Sequence, residues 1–327
     1  MKKLTALILT LAMILTLTAC GDSKKEEIKE EPTSETTETA EAETYNVGIC
    51  QLVQHVALDD ATQGFIDALN AELPGQVNFN SQNASNEIPM CSTIVNQFIA
   101  EEVDLILANA TPALQAASAA TGEIPVLGTS VTEYGVALGI ENFSGTSDLA
   151  PLDAQAAMIA EWFPEAETIG LLYCSAEANS QYQVDVVKAE LEALGYTCEY
   201  YSFSDSNDLA AVVEGAVAGC DVIYVPTDNT VASNTEIIDN ICRPAGKPVI
   251  GGDQGICEGC TVATLCIAYY DLGYTTGEMA AQILTGEADI STMPIAYADA
   301  SSIYNVAICE DLGLTPPTDS YAPVNAG

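Results

Sequence analysis

Positive charge is what this 327-residue chain has least of. It has eight Lys and Arg against 47 Asp and Glu, a formal net charge of −39. Lys2, Lys3, Lys24, Lys25 and Lys29 all precede Tyr45, so only Lys188, Arg243 and Lys247 fall in the rest of the chain. Phosphate binding needs clustered Lys and Arg, so nucleic acid is excluded as a partner. Anionic lipid and polyanionic ligands are repelled as well. The acidity itself reads as solubility. Histidine is scarcer still, with His55 standing alone. One His and no second CxxC leave no zinc-type ligand set, so neither metal nor cofactor is expected. There is no G-x-S-x-G elbow, and Gly246-Lys247 lacks the upstream Gly and the following Ser or Thr of a phosphate loop. With no nucleophile–base pattern, the chain does not read as an enzyme.

Long apolar runs are also missing. The longest opening stretch, residues 4–17, follows Met1-Lys2-Lys3 and is shorter than the ~20 residues a membrane span needs. A basic start and a short apolar core make a secretory signal peptide, over residues 1–19. It ends in Leu17-Thr18-Ala19-Cys20, which resembles a bacterial lipobox, where the Cys is acylated and becomes the mature N-terminus. The expectation is an exported chain, held by lipid on Cys20 to the outer face of the bacterial cytoplasmic membrane. Residues 21–44 are Glu, Thr, Ser and Lys with almost nothing apolar, so residues 20–44 read as a lipidated, disordered tether.

Beyond the tether, about 280 residues with an ordinary apolar share form one large or two medium domains. Eleven Cys are present, ten of them besides Cys20. Cys50, Cys174, Cys220, Cys266 and Cys309 lie in or beside apolar runs and read as small buried hydrophobes. Cys257-Glu258-Gly259-Cys260 is expected in a Gly-rich loop and admits three readings: a local disulfide, a metal half-site, or neither.

From Tyr45 a rhythm begins. Val47–Val53 is a short apolar run suited to a buried parallel strand. The next segment has helical spacing, with Ala61, Phe65, Ala68 and Leu69 on one side. Strand and helix patterns then alternate to about residue 140, restart after Asp148, and run to about residue 251. Alternation at this spacing means βαβ units and parallel sheets covered on both faces. The fold class is therefore α/β, with two doubly wound parallel-sheet lobes joined by a multi-strand hinge. The first lobe is expected over 45–147 and 268–327, and the second over 148–267. Crossings are expected near 144–148, 267–270 and 293–304.

In open α/β sheets, ligands bind beyond the carboxyl ends of the strands. Between two lobes, that rule names Gln51, His55, Asn83, Thr111, Ser130 and Thr132 on one side. On the other it names Ser175, Glu177, Asn179, Asp228, Asn229 and Asp253. The set has hydroxyls, amides and carboxylates but no Lys or Arg, so a doubly charged anion is disfavoured. A single carboxylate suits the helix starts at Thr111 and Asn179. An ammonium suits Glu177, Asp228 or Asp253. His55 has three readings, a structural side chain, a ligand contact or a catalytic group, the last with no partner pattern behind it. The cleft fits a zwitterion or a neutral polar molecule.

Several stretches then carry a resemblance. They are His55-Val56-Ala57-Leu58-Asp59, Asn83-Ala84-Ser85, Ala110-Thr111-Pro112-Ala113, and Asn142-Phe143-Ser144-Gly145-Thr146-Ser147-Asp148. Ser175-Ala176-Glu177-Ala178-Asn179-Ser180, Pro226-Thr227-Asp228-Asn229 and Tyr269-Tyr270-Asp271-Leu272-Gly273-Tyr274-Thr275-Thr276-Gly277 complete the series. In order and spacing, the chain resembles the ABC-transporter substrate-binding proteins of the tryptophan/tyrosine type, a type I periplasmic-binding-protein-like group. It departs where the family usually reads His-Pro (here His55-Val56) and Asn-Ala-Gln-Gly (here Asn83-Ala84-Ser85-Asn86). The resemblance implies a monomeric receptor that clamps an aromatic amino acid and hands it to an ABC permease and its ATPase. A sugar or nucleoside ligand, or a sensory role toward a signalling partner, fits the residues of the cleft as well.

Overall fold

The computed structural model describes residues 44–135 and 143–324. The signal segment, Cys20 and all but the last residue of the expected tether lie outside them, as does the strand expected over 136–140.

The chain opens with β1 (Tyr45–Gln51), α1 (Val56–Glu72), β2 (Val77–Asn83), α2 (Ile88–Ala100), β3 (Leu105–Asn109), α3 (Thr111–Ala120), β4 (Val126–Val131) and β5 (Ser144–Ser147). It continues with α4 (Leu152–Trp162), β6 (Thr168–Cys174), α5 (Ala178–Leu194), β7 (Thr197–Phe203), α6 (Ser206–Gly219), β8 (Val222–Tyr224), α7 (Asn229–Ala232) and α8 (Thr235–Cys242). Then come β9 (Val249–Gly251), α9 (Gln254–Cys260), β10 (Ala263–Cys266), α10 (Tyr269–Leu284) and a 3-10 turn (Ile290–Thr292). The last elements are β11 (Ala296–Tyr297), β12 (Ser301–Asn305), α11 (Val306–Leu312) and β13 (Ala322–Val324).

Two sheets result. The first runs β11-β5-β4-β3-β1-β2, with every pair parallel. The second runs β13-β12-β10-β9-β8-β6-β7, parallel except where β12 meets β10. β3 and β4 are buried at every residue, as strands covered by helices on both faces must be. β2 closes the edge of its sheet and alternates between half-buried and exposed. The expected stripe on α1 is present, with Ala61, Phe65, Ala68 and Leu69 all buried. α5 stops at Gly195, whose φ of 102° is the left-handed cap that glycine adopts without a Cβ clash.

The chain passes between the sheets three times, at 148–151, 267–268 and 298–300. After the second passage α10 returns to the first sheet and lies on α1. The approach is very close: a Cβ on Gly273 would stand 1.9 Å from the Ala61 carbonyl oxygen, and one on Gly64 would stand 2.2 Å from that of Tyr270. The Tyr269–Gly277 stretch thus owes its small residues to a helix seam.

Two expectations need correction. Residues 268–327 do not all belong with the first lobe, because β12 and β13 extend the second sheet and α11 buries Ile308 and Cys309 in its core. β12 runs antiparallel to β10, Ala263 facing Tyr304, and the chain reaches it only after leaving for the first sheet through α10 and β11 and passing back. The periodicity of βαβ units gives no signal for such a return. Cys257 and Cys260, expected in a loop, lie in α9, where both are free buried thiols. Asp253 starts that helix by accepting the Ile256 N–H at 2.8 Å. The other eight cysteines among the described residues are free and buried too.

Candidate functional site

Both sheets carry their first five strands in the order 2-1-3-4-5. In that order the switch point lies between the first and third strands, and its crevice opens at their carboxyl ends. In the first sheet it falls between Gln51 and Asn109, and in the second between Cys174 and Tyr224. The loops leaving these four ends bring His55, Thr111, Glu177, Asn179, Asp228 and Asn229 to the facing edges.

Glu177 is the hub of the second edge. Its Oε1 accepts from the Thr230 N–H at 2.9 Å and the Thr230 hydroxyl at 2.8 Å. Its Oε2 accepts from the Asn229 N–H at 3.1 Å and from Asn229 Nδ2 at 2.6 Å. Asp228 is equally engaged, accepting from the Cys174 N–H at 2.7 Å and the Val231 N–H at 2.9 Å. Burial, and then the neighbouring Glu177 charge, push the Asp228 carboxyl up to about 8. Burial, with Asp148 and Glu258 adding, pushes Asp253 up to about 7. Glu177 and Asp228 therefore serve the loop architecture first.

Three hydrogen bonds join the edges. His55 Nε2 meets Asn229 Oδ1 at 3.2 Å, Asn86 Nδ2 donates to Thr230 Oγ1 at 3.0 Å, and Gln183 Nε2 donates to Thr132 Oγ1 at 3.4 Å. Asn229 gives its amide hydrogens to Glu177, so its oxygen accepts and His55 Nε2 donates. His55 Nδ1 is then an acceptor in the neutral ring. Burial holds His55 below its usual range, against the opposing pull of Asn229 and the carboxylates of Glu177 and Asp59. The lobes stand closed on one another.

Along the facing edges, buried hydrogen-bonding atoms lack partners. Buried and unpaired are His55 Nδ1, Asn109 Oδ1, Ser130 Oγ, Asp148 Oδ1 and Asn179 Oδ1. All lie at carboxyl-end loops or at the first passage between the lobes. Asn109 Nδ2 already donates to Leu58 O and Thr62 Oγ1, and Asn179 Nδ2 has Thr227 O and Glu177 within reach. Their oxygens are therefore left as free acceptors, and so is His55 Nδ1. Buried polar groups are normally paired, so this set asks for a donor-rich molecule. Two neighbouring residues carry backbone strain: Ala110 has φ 89° and Ser130 has φ 55°. Strain of this kind persists at functional loops held by their surroundings.

The structure does not bring every expected residue to the cleft. The Gln51 amide donates to Val53 O and Asp59 Oδ1 and accepts from Thr62, inside its own lobe. Asn83 is exposed and takes the Ser85 N–H, and the Ser175 hydroxyl, also exposed, donates to Phe203 O. Thr111 Oγ1 accepts from the Thr132 N–H at 3.4 Å, tying two expected loops together. Asp148 was expected only as a boundary. It is 5% exposed, and its Oδ2 accepts the Tyr269 hydroxyl at 2.8 Å. Burial pushes its carboxyl up to about 6, against the pull of Tyr269 and Thr132. Asn86, Gln183 and Thr230 were also missed. Their partners come from distant segments, which no local spacing shows.

No cation reaches this site from the three basic residues described. Lys188 pairs with Glu192, Arg243 with Asp239 and Asp311, and Lys247 donates to Cys220 O. Among the described residues, no group of three His, Cys, Asp or Glu side chains is placed to hold a metal ion. Nor is any helix among them long and apolar enough to cross a membrane.

Comparison with known proteins agrees with this architecture. A tyrosine-binding protein of Clostridioides difficile (strain R20291) is 32% identical over 313 residues, 92% of this chain and 89% of that protein. The structure of an ABC domain in complex with L-Trp from Streptococcus pneumonia matches at 30% identity and a TM-score of 0.79, covering 85% of this chain and 97% of the other. The ligand-free, open structure of a substrate-binding protein with adhesive properties from Clostridium difficile matches at 36% identity, covering 87% and 100%, with a TM-score of only 0.65. The backbone is thus nearer to the liganded relative than to the open one, despite lower identity, as expected of a chain whose lobes are closed. Residues 46–320 match the family described as ABC transporter substrate binding protein. This chain belongs to that family of type I periplasmic-binding-protein-like receptors, which are not enzymes.

Proposed function

We propose that the chain is an exported receptor, lipid-anchored through Cys20, that clamps an aromatic amino acid between its lobes and delivers it to an ABC permease and its ATPase. It works as a monomer. The observation that carries the ligand class is the pair of relatives near 30% identity, one a tyrosine-binding protein and one solved with L-Trp. The cleft chemistry supports it: unpaired acceptors and a buried carboxylate suit an ammonium, while the Ser130 hydroxyl and the N-terminus of α3 suit a single carboxylate. The moving bodies of the clamp are residues 45–135 and 143–147 with 268–300, and 148–267 with 301–324. Ligand stabilises the closed form through contacts made only when closed.

A melting-temperature panel of amino acids, sugars and nucleosides tests the ligand class. A ligand at 100 times its Kd adds about 2.7 kcal/mol. A rise with Tyr, Trp or Phe alone supports the reading, and a rise with a sugar or nucleoside instead overturns it. Mass spectrometry of the mature N-terminus tests the anchor, with acylated Cys20 expected.

A further inference from the structure

We propose that Asp148 binds the ligand's ammonium group and, through Tyr269, couples that capture to closure of the lobes. The proposal rests on the amino-acid reading above and names a residue for it.

Among the described residues, four carboxylates are buried at or beside the facing edges. The Glu177 and Asp228 oxygens are filled by donors of their own lobe. Asp253 caps α9. Asp148 alone among them has a buried oxygen, Oδ1, with no partner. Its position is equally particular. Asp148 stands on the first passage between the lobes, and Tyr269 opens α10 just beyond the second, 121 residues later. Their hydrogen bond ties two hinge segments together, so a charge bound at Asp148 is felt where the lobes rotate.

The titratable groups facing Asp148 are Tyr269, Tyr134 and Asp253. None of them is a cation. A buried carboxylate without a counter-charge takes a proton instead, and the Asp148 carboxyl is correspondingly raised to about 6. Thr132 and Tyr269 draw the carboxyl down but carry no charge; an ammonium brings the missing charge and a donor to Oδ1. Proton and ammonium therefore compete for one oxygen. Affinity for an amine-bearing ligand falls as pH drops through 6, approaching about tenfold per pH unit in the acid limit.

Calorimetric titration of the whole protein from pH 5 to 8 tests this, using L-Tyr, L-Trp and 3-(4-hydroxyphenyl)propionate, which lacks the amine. Wild type is expected to prefer L-Tyr to the desamino acid by about 100-fold at pH 8 and to lose most of that preference at pH 5. Asp148→Asn is expected to show little preference at either pH. Tyr269→Phe removes a hydrogen bond that stabilises the charged form, so its pH midpoint moves upward, a shift that loss of packing alone does not produce. An Asp148→Asn protein with the wild-type preference and pH profile overturns the proposal, and so does a Tyr269→Phe midpoint that stays in place. If wild type binds L-Tyr and L-Trp at no pH, the amino-acid reading itself is refuted, a result distinct from either of these.

Discussion

Removing the Glu177 carboxylate tests the account of the second edge. Its two oxygens hold two backbone N–H groups, one amide and one hydroxyl from Asn229 and Thr230, with the Asn179 amide at 3.3 Å besides, and the residue is 1% exposed. Glu177→Ala strands these donors in a buried site. An unsatisfied buried donor costs about 1–3 kcal/mol, and the loop relaxes enough to recover some of them. The expected loss is roughly 3–5 kcal/mol, the range for breaking a buried polar network. Glu177→Gln keeps one acceptor and turns the other into a donor facing donors, so about 2 kcal/mol is expected. Urea unfolding at pH 7 measures both. Trp162 is the chain's single Trp and packs edge-on against Tyr321 at 5.3 Å in the core of the second lobe, so its fluorescence reports that lobe. A loss below about 1 kcal/mol in both variants, with unchanged m, refutes the hub.

The remaining predictions are more compact. Gly273→Ala forces α1 and α10 apart, since the new methyl would overlap the Ala61 carbonyl; about 2–3 kcal/mol of stability should be lost in a thermal melt. The unliganded protein should be less stable at pH 8 than at pH 5. The sign follows from Asp148, Asp253 and Asp228, whose folded values of about 6, 7 and 8 exceed the ordinary unfolded value of about 3.9. The folded state then binds more protons between about pH 4 and those values, so stability falls as pH rises through that window, by roughly 3 kcal/mol for Asp148 alone. Denaturation midpoints at fixed ionic strength check it, and a flat or rising profile contradicts it. Maleimide should label none of the ten described cysteines quickly in the native protein, because all are buried, and all ten in denaturant.

The sheets were legible because buried parallel strands leave a strong mark. Val47–Val53 and the Leu105–Ala108 run of β3 need no partner to be recognised, and the helix stripe on α1 repeats at its own period. β12 left no such mark, because Ser301-Ser302-Ile303-Tyr304-Asn305 is no apolar run and the helix before it, α10, packs on the other sheet. At the site, strand-end position singled out His55, Ser130, Asn179 and Glu177, and the fold places them at the carboxyl-end loops. It did not say what they do there. Glu177 reads as an ammonium ligand until Asn229 and Thr230, 52 and 53 residues away, are seen to fill it. Asp148 lay within a quoted motif and Tyr269 opened another, but only folding brings them together. Gln51 sits at a strand end like the others, yet α1 supplies Asp59 and Thr62 to satisfy its amide.

The central claim is a clamp for an aromatic amino acid, and calorimetric titration of the unliganded protein at pH 8 meets it most directly. L-Tyr or L-Trp should give a saturable heat with one ligand per chain, with none from galactose or adenosine. Saturable binding of the sugar or the nucleoside, with silence from both amino acids, would contradict it.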